Sequence, residues 1–371
     1  MSATTFTATS IPATRSGALD ALRFVAATFV VLYHFGWNAP TPLAEVSSVF
    51  GRGWLATDFF LILSGYVLGR AYGVALDEGR MNWSGFFARR LARVWPAQLI
   101  VLFGLAALVI AASVVGVSHD PARFGLEDFF SQAALIHAWG VTQHAGWNEP
   151  SWTLSALIVC YAAFPAIWLA CRPLNGRPAA LVAGLSVLIA GAAFSLGALG
   201  LSLYDLPFHL GLARAAPLFV LGLFMARFMS GRRRSRAFAV ASGLAALGAL
   251  VTLQAAERTE LVSFVSILAV AAIVLAADGL RLRSGRLTRA AADMSFALFI
   301  SQALAGALWF GLADLTGQGH SWLVWSLGLA FTLGFAVAFH RLVDAPLQRR
   351  LRALLDRPTR PDRDLEASPA G

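Results

Sequence analysis

The chain has 371 residues, of which 58% are hydrophobic and only 13% are charged. A water-soluble domain carries about 25% charged residues, so this composition excludes an ordinary soluble globular protein. The net charge of +9 comes from arginines in short stretches between apolar segments. This distribution argues against a nucleic-acid-binding surface and indicates that the main partner is the lipid bilayer.

Apolar runs of about 20 residues, the length that crosses a bilayer as a helix, recur along the chain. They predict an all-α fold, a polytopic bundle of ten transmembrane helices. The first run contains Arg23 and His34 and is too long for the core of a signal peptide, so we expect it to be retained as a helix. The ten predicted helices cover residues 18–37, 53–73, 94–117, 150–171, 179–200, 207–229, 236–255, 260–278, 291–314 and 321–343.

The arginines are concentrated in every second connection between the predicted helices. The intervening connections contain only Arg52, Arg123 and Arg258 and carry most of the acidic residues. Because arginine-rich connections stay on the cytoplasmic side, we predict that both termini are cytoplasmic. Segments 1–17 and 353–371 are predicted to be disordered, which leaves 18–352 as the transmembrane domain.

The first predicted helix carries two ionisable residues on one face. Arg23 and His34 are 11 residues apart, about three helical turns and about 16 Å of rise. Ionisable groups inside a membrane cost several kcal/mol and usually line a functional path, so the pair is predicted to serve two depths of one internal cavity. In the alternative interpretation, Arg23 reaches the headgroups and His34 is an ordinary core histidine.

The second predicted helix carries Asp58 close to its outer end, at a depth comparable with His34. A carboxylate there would orient the imidazole and raise its basicity. Asp58 is therefore predicted to be the orienting partner of His34. Alternatively, it is a helix-start residue that faces the outer water.

Three arginines precede the third predicted helix, in the sequence FFARRLARVWPAQ. Arg90 and Arg93 are three residues apart and Arg89 is adjacent. Guanidinium groups bind phosphate through two parallel hydrogen bonds, so this cluster suits a phosphate-bearing ligand at the inner mouth of the bundle. Alternatively, the arginines only anchor an inner connection. No metal is expected, because the histidines are scattered without ligand spacing.

Six segments, which include the residues described above, occur along the chain in this order: LRFVAATFVVLYH, DFFLILSGY, RRLARVWPA, WNEPSWTLSALIVCYAAFP, MSFALFISQ and HRLVDAPLQRRLR. Together they resemble the acyltransferase-3 family of bacterial integral membrane acyltransferases, from about residue 17 to 352. The most specific element is the Arg-x10-His spacing of the first helix, met here by Arg23 and His34. The weaker Arg-x-x-Arg pattern falls on Arg90 and Arg93.

The resemblance implies transfer of an acyl group, most often acetyl, from a cytoplasmic acyl-CoA such as acetyl-CoA. The implied acceptor is a hydroxyl of a cell-surface polysaccharide or its lipid-linked precursor, and the implied location is the bacterial inner membrane. Arg89, Arg90 and Arg93 would hold the donor's phosphates, with Arg23 deeper on the same side. His34 would act as a general base or as a transient acyl carrier, oriented by Asp58.

Two positions depart from the family pattern. The fourth helix reads Trp-Thr-Leu-Ser-Ala-Leu from Trp152, so that Leu157 stands where the family has glutamate. A late pattern that often ends in histidine ends here in Gln302. Glu149 lies eight residues before Leu157, about 12 Å along a helix axis, and is not expected to replace the missing glutamate.

Other functions stay open at this point. The acceptor of an acyltransferase could be a lipid or a secondary metabolite such as a macrolide. A transporter of a glycan or metabolite would show paired helix interruptions in two related halves, and we find no such pairing. A catalytically inactive relative that binds a lipid or a protein is the remaining alternative, and the missing glutamate favours it.

Overall fold

The computed structural model of the protein describes residues 16–116, 123–144, 146–232, 235–318 and 321–356. These residues form helices and no β-strand apart from one isolated bridge between Ser16 and Arg283. Ten helical segments in the described ranges are long and apolar enough to cross a membrane, which confirms the predicted all-α bundle. The helices are α1 Gly17–Phe35, α2 Trp54–Asp77, α3 Trp83–Val114, α4 Trp152–Ala170, α5 Pro178–Phe194, α6 Gly211–Met229, α7 Arg236–Ala255, α8 Glu260–Gly279, α9 Arg286–Leu315 and α10 Trp322–Phe339.

Helix α3 begins 11 residues earlier than predicted. The Asn82 side chain accepts hydrogen bonds from the backbone N–H groups of Ser84 and Gly85, at 3.1 and 3.5 Å, and so caps the helix start. The arginines at 89, 90 and 93 therefore lie inside α3 and not in a connection, which corrects the prediction. Their position on a helix fixes the directions of their side chains relative to the neighbouring helices.

Helices α2 and α6 pack closely because glycines lie at their contact. A Cβ atom added to Gly65 of α2 would overlap the carbonyl oxygen of Phe219, and one added to Gly222 of α6 would overlap that of Ile62. Small residues at such a contact let two membrane helices approach through their backbones. The two helices thus form a tight central pair.

Two ion pairs join the same helices at their ends. Asp58 binds Arg214 at one end, and Asp77 binds Arg227 through hydrogen bonds of 2.7 and 2.8 Å at the other. Because the earlier aspartate pairs with the earlier arginine, α2 and α6 run in the same direction. Helix α1 packs against α2 on one side and α9 on another, which places His34 between them.

Short helices lie outside the ten long ones. The amphipathic stretch before α4 forms the helix Leu126–Ala133, and the chain after α10 forms the helix Ala345–Leu355. The latter helix extends three residues past the predicted domain end at 352. The predictions of disorder for 1–17 and 353–371 otherwise fall almost entirely outside the described residues.

Candidate active site

His34 lies in the last turn of α1, and Gln302 of α9 fixes its ring. His34 Nδ1 is 3.3 Å from Gln302 Oε1, while Gln302 Nε2 donates a 3.1 Å hydrogen bond to the carbonyl of Phe299. The amide oxygen therefore faces the histidine and can only accept. When the ring is neutral, this contact favours the tautomer with the proton on Nδ1 and the lone pair on Nε2.

Glu149 supplies a carboxylate at that second nitrogen. Its Oε1 lies 3.8 Å from His34 Nε2, and both side chains are partly exposed. The sequence predicts that Glu149 does not replace the missing glutamate, because it lies too far from Leu157 along the helix. In the structure, Glu149 begins the 3₁₀ turn Glu149–Ser151, which leads directly into α4, and Leu157 is buried in the core. The contact of Glu149 with His34 on α1 does not depend on its distance from Leu157 along α4.

The turn that carries Glu149 is held by buried hydrogen bonds. The Asn148 side chain donates to Gln98 Oε1 at 2.6 Å, and Ser151 Oγ lies 3.1 Å from His137 Nε2. Burial lowers the pKa of His137 to about 4, so this histidine is neutral near pH 7. His137 thus helps to fix the turn that carries Glu149.

Asp58 does not face His34. It is fully buried, and its two carboxylate oxygens accept hydrogen bonds of 3.0 Å from Nε and Nη2 of Arg214. Arg214 also donates to the carbonyl of Tyr204 at 3.0 Å. The predicted contact between Asp58 and His34 is therefore replaced by an ion pair, because a buried carboxylate needs an opposite charge and α6 provides it.

A cavity of about 250 Å³ opens beside His34, and we call it the histidine pocket. Arg214, Arg258 and Asp205 supply its charged groups, and Arg258 pairs with Asp205. Arg214 lies 5.4 Å from the centre of the Trp54 ring. The aromatic lining consists of Tyr33, Trp54, Trp152, Tyr204, Phe208 and Phe299.

Tyr204 presents an unused donor to the histidine pocket. Its hydroxyl oxygen is buried and has no hydrogen-bond partner within the described part of the chain. Burial raises the pKa of Tyr204, so the hydroxyl stays protonated and can donate. Buried polar groups without partners are rare in folded proteins, and one at a pocket wall suits a polar ligand.

A second cavity, of about 160 Å³, contains Arg23 of α1 and Arg90 of α3, and we call it the arginine cavity. Arg23 forms a 2.9 Å ion pair with Asp20. Arg90 donates to the Tyr72 hydroxyl and lies over the Tyr72 ring, while its Nε has no hydrogen-bond partner among the described residues. The structure therefore brings together two of the four predicted arginines.

The other two arginines lie elsewhere. Arg93 forms a 2.9 Å ion pair with the buried Asp344 and lies over the Phe296 ring. Neither Arg93 nor Arg89 belongs to the described lining of the arginine cavity. The predicted joint clamp is thus divided: Arg90 lines the arginine cavity, and Arg93 is bound to Asp344, the last residue of the π-helical turn His340–Asp344 after α10.

Sequence reasoning missed Arg214 and the roles of Glu149 and Gln302 as neighbours of His34. Arg214 falls inside the predicted helix 207–229, so the rule that selected Arg23, a charge within a membrane helix, would also have selected it. The contacts of Glu149 and Gln302 had no comparable signal. They depend on which helices are neighbours, and this is not visible in helix spacing.

The ten membrane-length helices of the described ranges define a polytopic membrane protein, and a polar pocket opens beside His34. The chain belongs to the acyltransferase-3 family: the family profile described as "Acyltransferase domain" matches residues 16–341, most of its length. The predicted family is confirmed, and the predicted enzyme class, an O-acyltransferase, agrees with it.

Three curated relatives match parts of the chain. Protein 2 in the picA locus of Rhizobium radiobacter is 37% identical over 103 residues, 27% of this chain and 48% of the relative. BcsY of Komagataeibacter xylinus, a protein named as a membrane-bound transacylase, is 29% identical over 161 residues. These residues are 41% of this chain and 36% of BcsY. Acyltransferase MdmB of Streptomyces mycarofaciens is 27% identical over 166 residues, which are 42% of this chain and 39% of MdmB. The chain thus spans less than half the length of each relative. No solved structure matches it significantly.

Proposed function

We propose that the protein transfers an acyl group, most simply acetyl, from a cytoplasmic acyl-CoA to a hydroxyl of a cell-surface polysaccharide or its lipid-linked precursor. In this proposal it spans the bacterial inner membrane with both termini in the cytoplasm. The observation that carries the proposal is the environment of His34. Gln302 holds one ring nitrogen, and the free nitrogen faces Glu149.

His34 is proposed to act as the general base. Its Nε2 takes the proton of the acceptor hydroxyl while the oxygen attacks the thioester carbon. The new C–O bond forms, the C–S bond breaks, and the proton passes from His34 to the departing sulfur, which leaves as the thiol of CoA. Glu149 favours the base role over an acyl-carrier role, because a carboxylate 3.8 Å away stabilises the imidazolium that proton uptake creates.

The histidine pocket suits a sugar hydroxyl. Aromatic rings pack against the C–H faces of a sugar ring, and Tyr204 and the arginines can hydrogen-bond its hydroxyls. Each arginine of the pocket is paired with an aspartate, Arg214 with Asp58 and Arg258 with Asp205. The acceptor group is therefore proposed to be uncharged.

The arginine cavity is proposed to receive the donor. Arg90 has a buried Nε without a partner among the described residues, and Arg23 adds a second guanidinium. Both are suited to the phosphates of CoA or to the polar part of its arm. Arg89 is assigned to the entrance, where its charge attracts the anionic donor, whereas the charge of Arg93 is neutralised by its ion pair with Asp344.

The test uses membrane vesicles from the native host lacking its own gene, so that the native acceptor is present. Inside-out vesicles supplied with radioactive acetyl-CoA should incorporate label into the glycan fraction when the wild-type gene is restored. Sealed right-side-out vesicles should not, because the donor then cannot reach the cytoplasmic face. His34→Gln and His34→Ala should each lower incorporation at least about 100-fold.

His144→Gln is the matched control, because its side chain is 56% exposed. It should leave incorporation unchanged. Label in lipids that carry no glycan would reassign the acceptor to a lipid, whereas label in a lipid-linked glycan agrees with the proposed precursor. An unlabelled glycan with the wild-type gene, or normal labelling with His34→Gln, would refute the proposed function.

A further inference from the structure

Helix α2 lines both cavities with one face. Trp54 and Thr57 belong to the histidine pocket, and Ser64 and Val67 belong to the arginine cavity. Spacings of three, seven and ten residues keep these side chains on one side of a helix. The rise from Thr57 to Ser64 is about 10 Å, so the two cavities follow each other along α2.

Two phenylalanines stand where the cavities meet. Phe60 of α2 lines the arginine cavity, and Phe299 of α9 lines the histidine pocket. Their ring centres are 5.7 Å apart, with an angle of 59° between the planes. The two rings are thus in contact while each faces a different cavity, and together they form a wall between the cavities.

Helix α1 shows that a ligand must extend past this wall. Arg23 lines the arginine cavity and His34 lines the histidine pocket, about 16 Å apart along the helix axis. A donor whose phosphates stay with the arginines must deliver its thioester carbon to the hydroxyl beside His34. Its arm therefore has to pass between Phe60 and Phe299.

We propose that Phe60 and Phe299 form the constriction through which the acyl thioester reaches His34, and that they limit the size of the acyl group. This inference rests on the proposed function. It assigns to the donor a short, unbranched acyl chain, because only a narrow group passes between two rings in contact.

The two rings are held to different degrees. The carbonyl of Phe299 accepts a hydrogen bond from Gln302, the residue that also contacts His34, and its side chain is 7% exposed. Phe60 is only partly buried and packs at the border of two core clusters. Phe299 is therefore the fixed side of the constriction, and Phe60 is the side that moves when a donor enters.

The test compares donors in the same inside-out vesicles. Acetyl-CoA and butyryl-CoA, each with a radioactive acyl group, are supplied to wild type, Phe60→Ala, Phe60→Leu and Phe299→Leu at matched protein levels. A pocket gains or loses about 10-fold or more in kcat/KM per methylene group that it must accommodate. The butyryl-to-acetyl ratio of kcat/KM should therefore rise about 10-fold or more in Phe60→Ala, and less in the two leucine variants.

Phe194→Ala is the matched control, since Phe194 is 58% exposed on α5 and should not change the ratio. If Phe60→Ala does not reach the membrane, the test relies on Phe60→Leu and Phe299→Leu. These variants remove less volume and should therefore disturb folding less. If the wild type is active and the butyryl-to-acetyl ratio is unchanged in the folded variants, the proposed constriction is refuted but the proposed function is not. No transfer by the wild type from either donor overturns the proposed function and this inference with it.

Discussion

The histidine pocket and the arginine cavity differ in how their arginines are paired. In the histidine pocket each arginine is paired with an aspartate, and beside the pocket Glu149 faces His34. In the arginine cavity Arg23 is paired with Asp20, but Arg90 contacts a tyrosine hydroxyl and two aromatic rings, and its Nε has no partner among the described residues. The difference between the two cavities therefore rests on Arg90.

This contrast indicates how one bundle distinguishes two substrates. Paired charges make an environment for an uncharged hydroxyl compound, because an anion would gain little there. An arginine that contacts only neutral groups attracts a phosphate. The donor and the acceptor would thus be separated by charge before the chemical step.

The largest effect is expected from Asp58→Asn. Removing the carboxylate leaves Arg214 buried without its partner, which typically costs about 3–5 kcal/mol of stability. Thermal unfolding in detergent should show a large decrease in Tm, whereas Asp314→Asn, at an exposed position, should show none. A variant with normal Tm but slow transfer would instead assign Asp58 to the chemistry of His34, as the sequence predicted.

A smaller effect, on rate alone, is expected from Glu149→Gln. An interaction with a charged group is worth about 1.5–3 kcal/mol, so kcat should fall about 10- to 100-fold with unchanged Tm. The measurement is acyl incorporation in vesicles at saturating donor. Glu45→Gln, at an exposed glutamate on the outer side of the predicted topology, serves as the control. Parental kcat for Glu149→Gln would show that its position near His34 is incidental.

The smallest effect is expected from Arg90→Lys. Lysine keeps the positive charge but loses the planar fork, so about one hydrogen bond to the donor is lost. At about 0.5–1.5 kcal/mol, the apparent KM for acyl-CoA should rise about 3- to 10-fold with little change in kcat. The measurement is the dependence of incorporation on donor concentration.

Two further arginine variants test whether the expected change in KM is specific to Arg90. Arg93→Lys should act mainly on stability, because Arg93 is bound to Asp344. Arg236→Lys, at the exposed first residue of α7 on the predicted cytoplasmic side, should change neither KM nor Tm. Equal KM values for Arg90→Lys and Arg236→Lys would show that Arg90 does not bind the donor and serves only as a membrane anchor.

The sequence was sufficient for the fold because hydropathy and helix length are local properties. It placed all ten long helices but started α3 at residue 94, since Trp83 to Arg93 is too polar to look like part of a membrane span. The start is instead set by the Asn82 cap. The orientation of the termini stays a prediction that rests on the arginine bias.

Within the site, helix periodicity predicted that Arg23 and His34 share a face, and the structure places them at two cavities on that helix. It could not predict that Gln302 would contact His34, because the two residues are 268 positions apart. The same holds for Asp58 and Arg214, 156 positions apart. Such contacts depend on the order of helices around the bundle, and a single sequence does not encode that order in any local pattern.

The ion pairs between α2 and α6 have a consequence for how the chain is made. Asp58 enters the membrane with α2, but Arg214 is synthesised 156 residues later. At about 5–20 residues per second, this delay is about 8–30 s. During that time the carboxylate has no arginine partner, and an unpaired charge in lipid is costly. The contact that joins α2 and α6 at Asp58 therefore forms only after α6 has been made, so the pairing of these two helices is a late step of assembly.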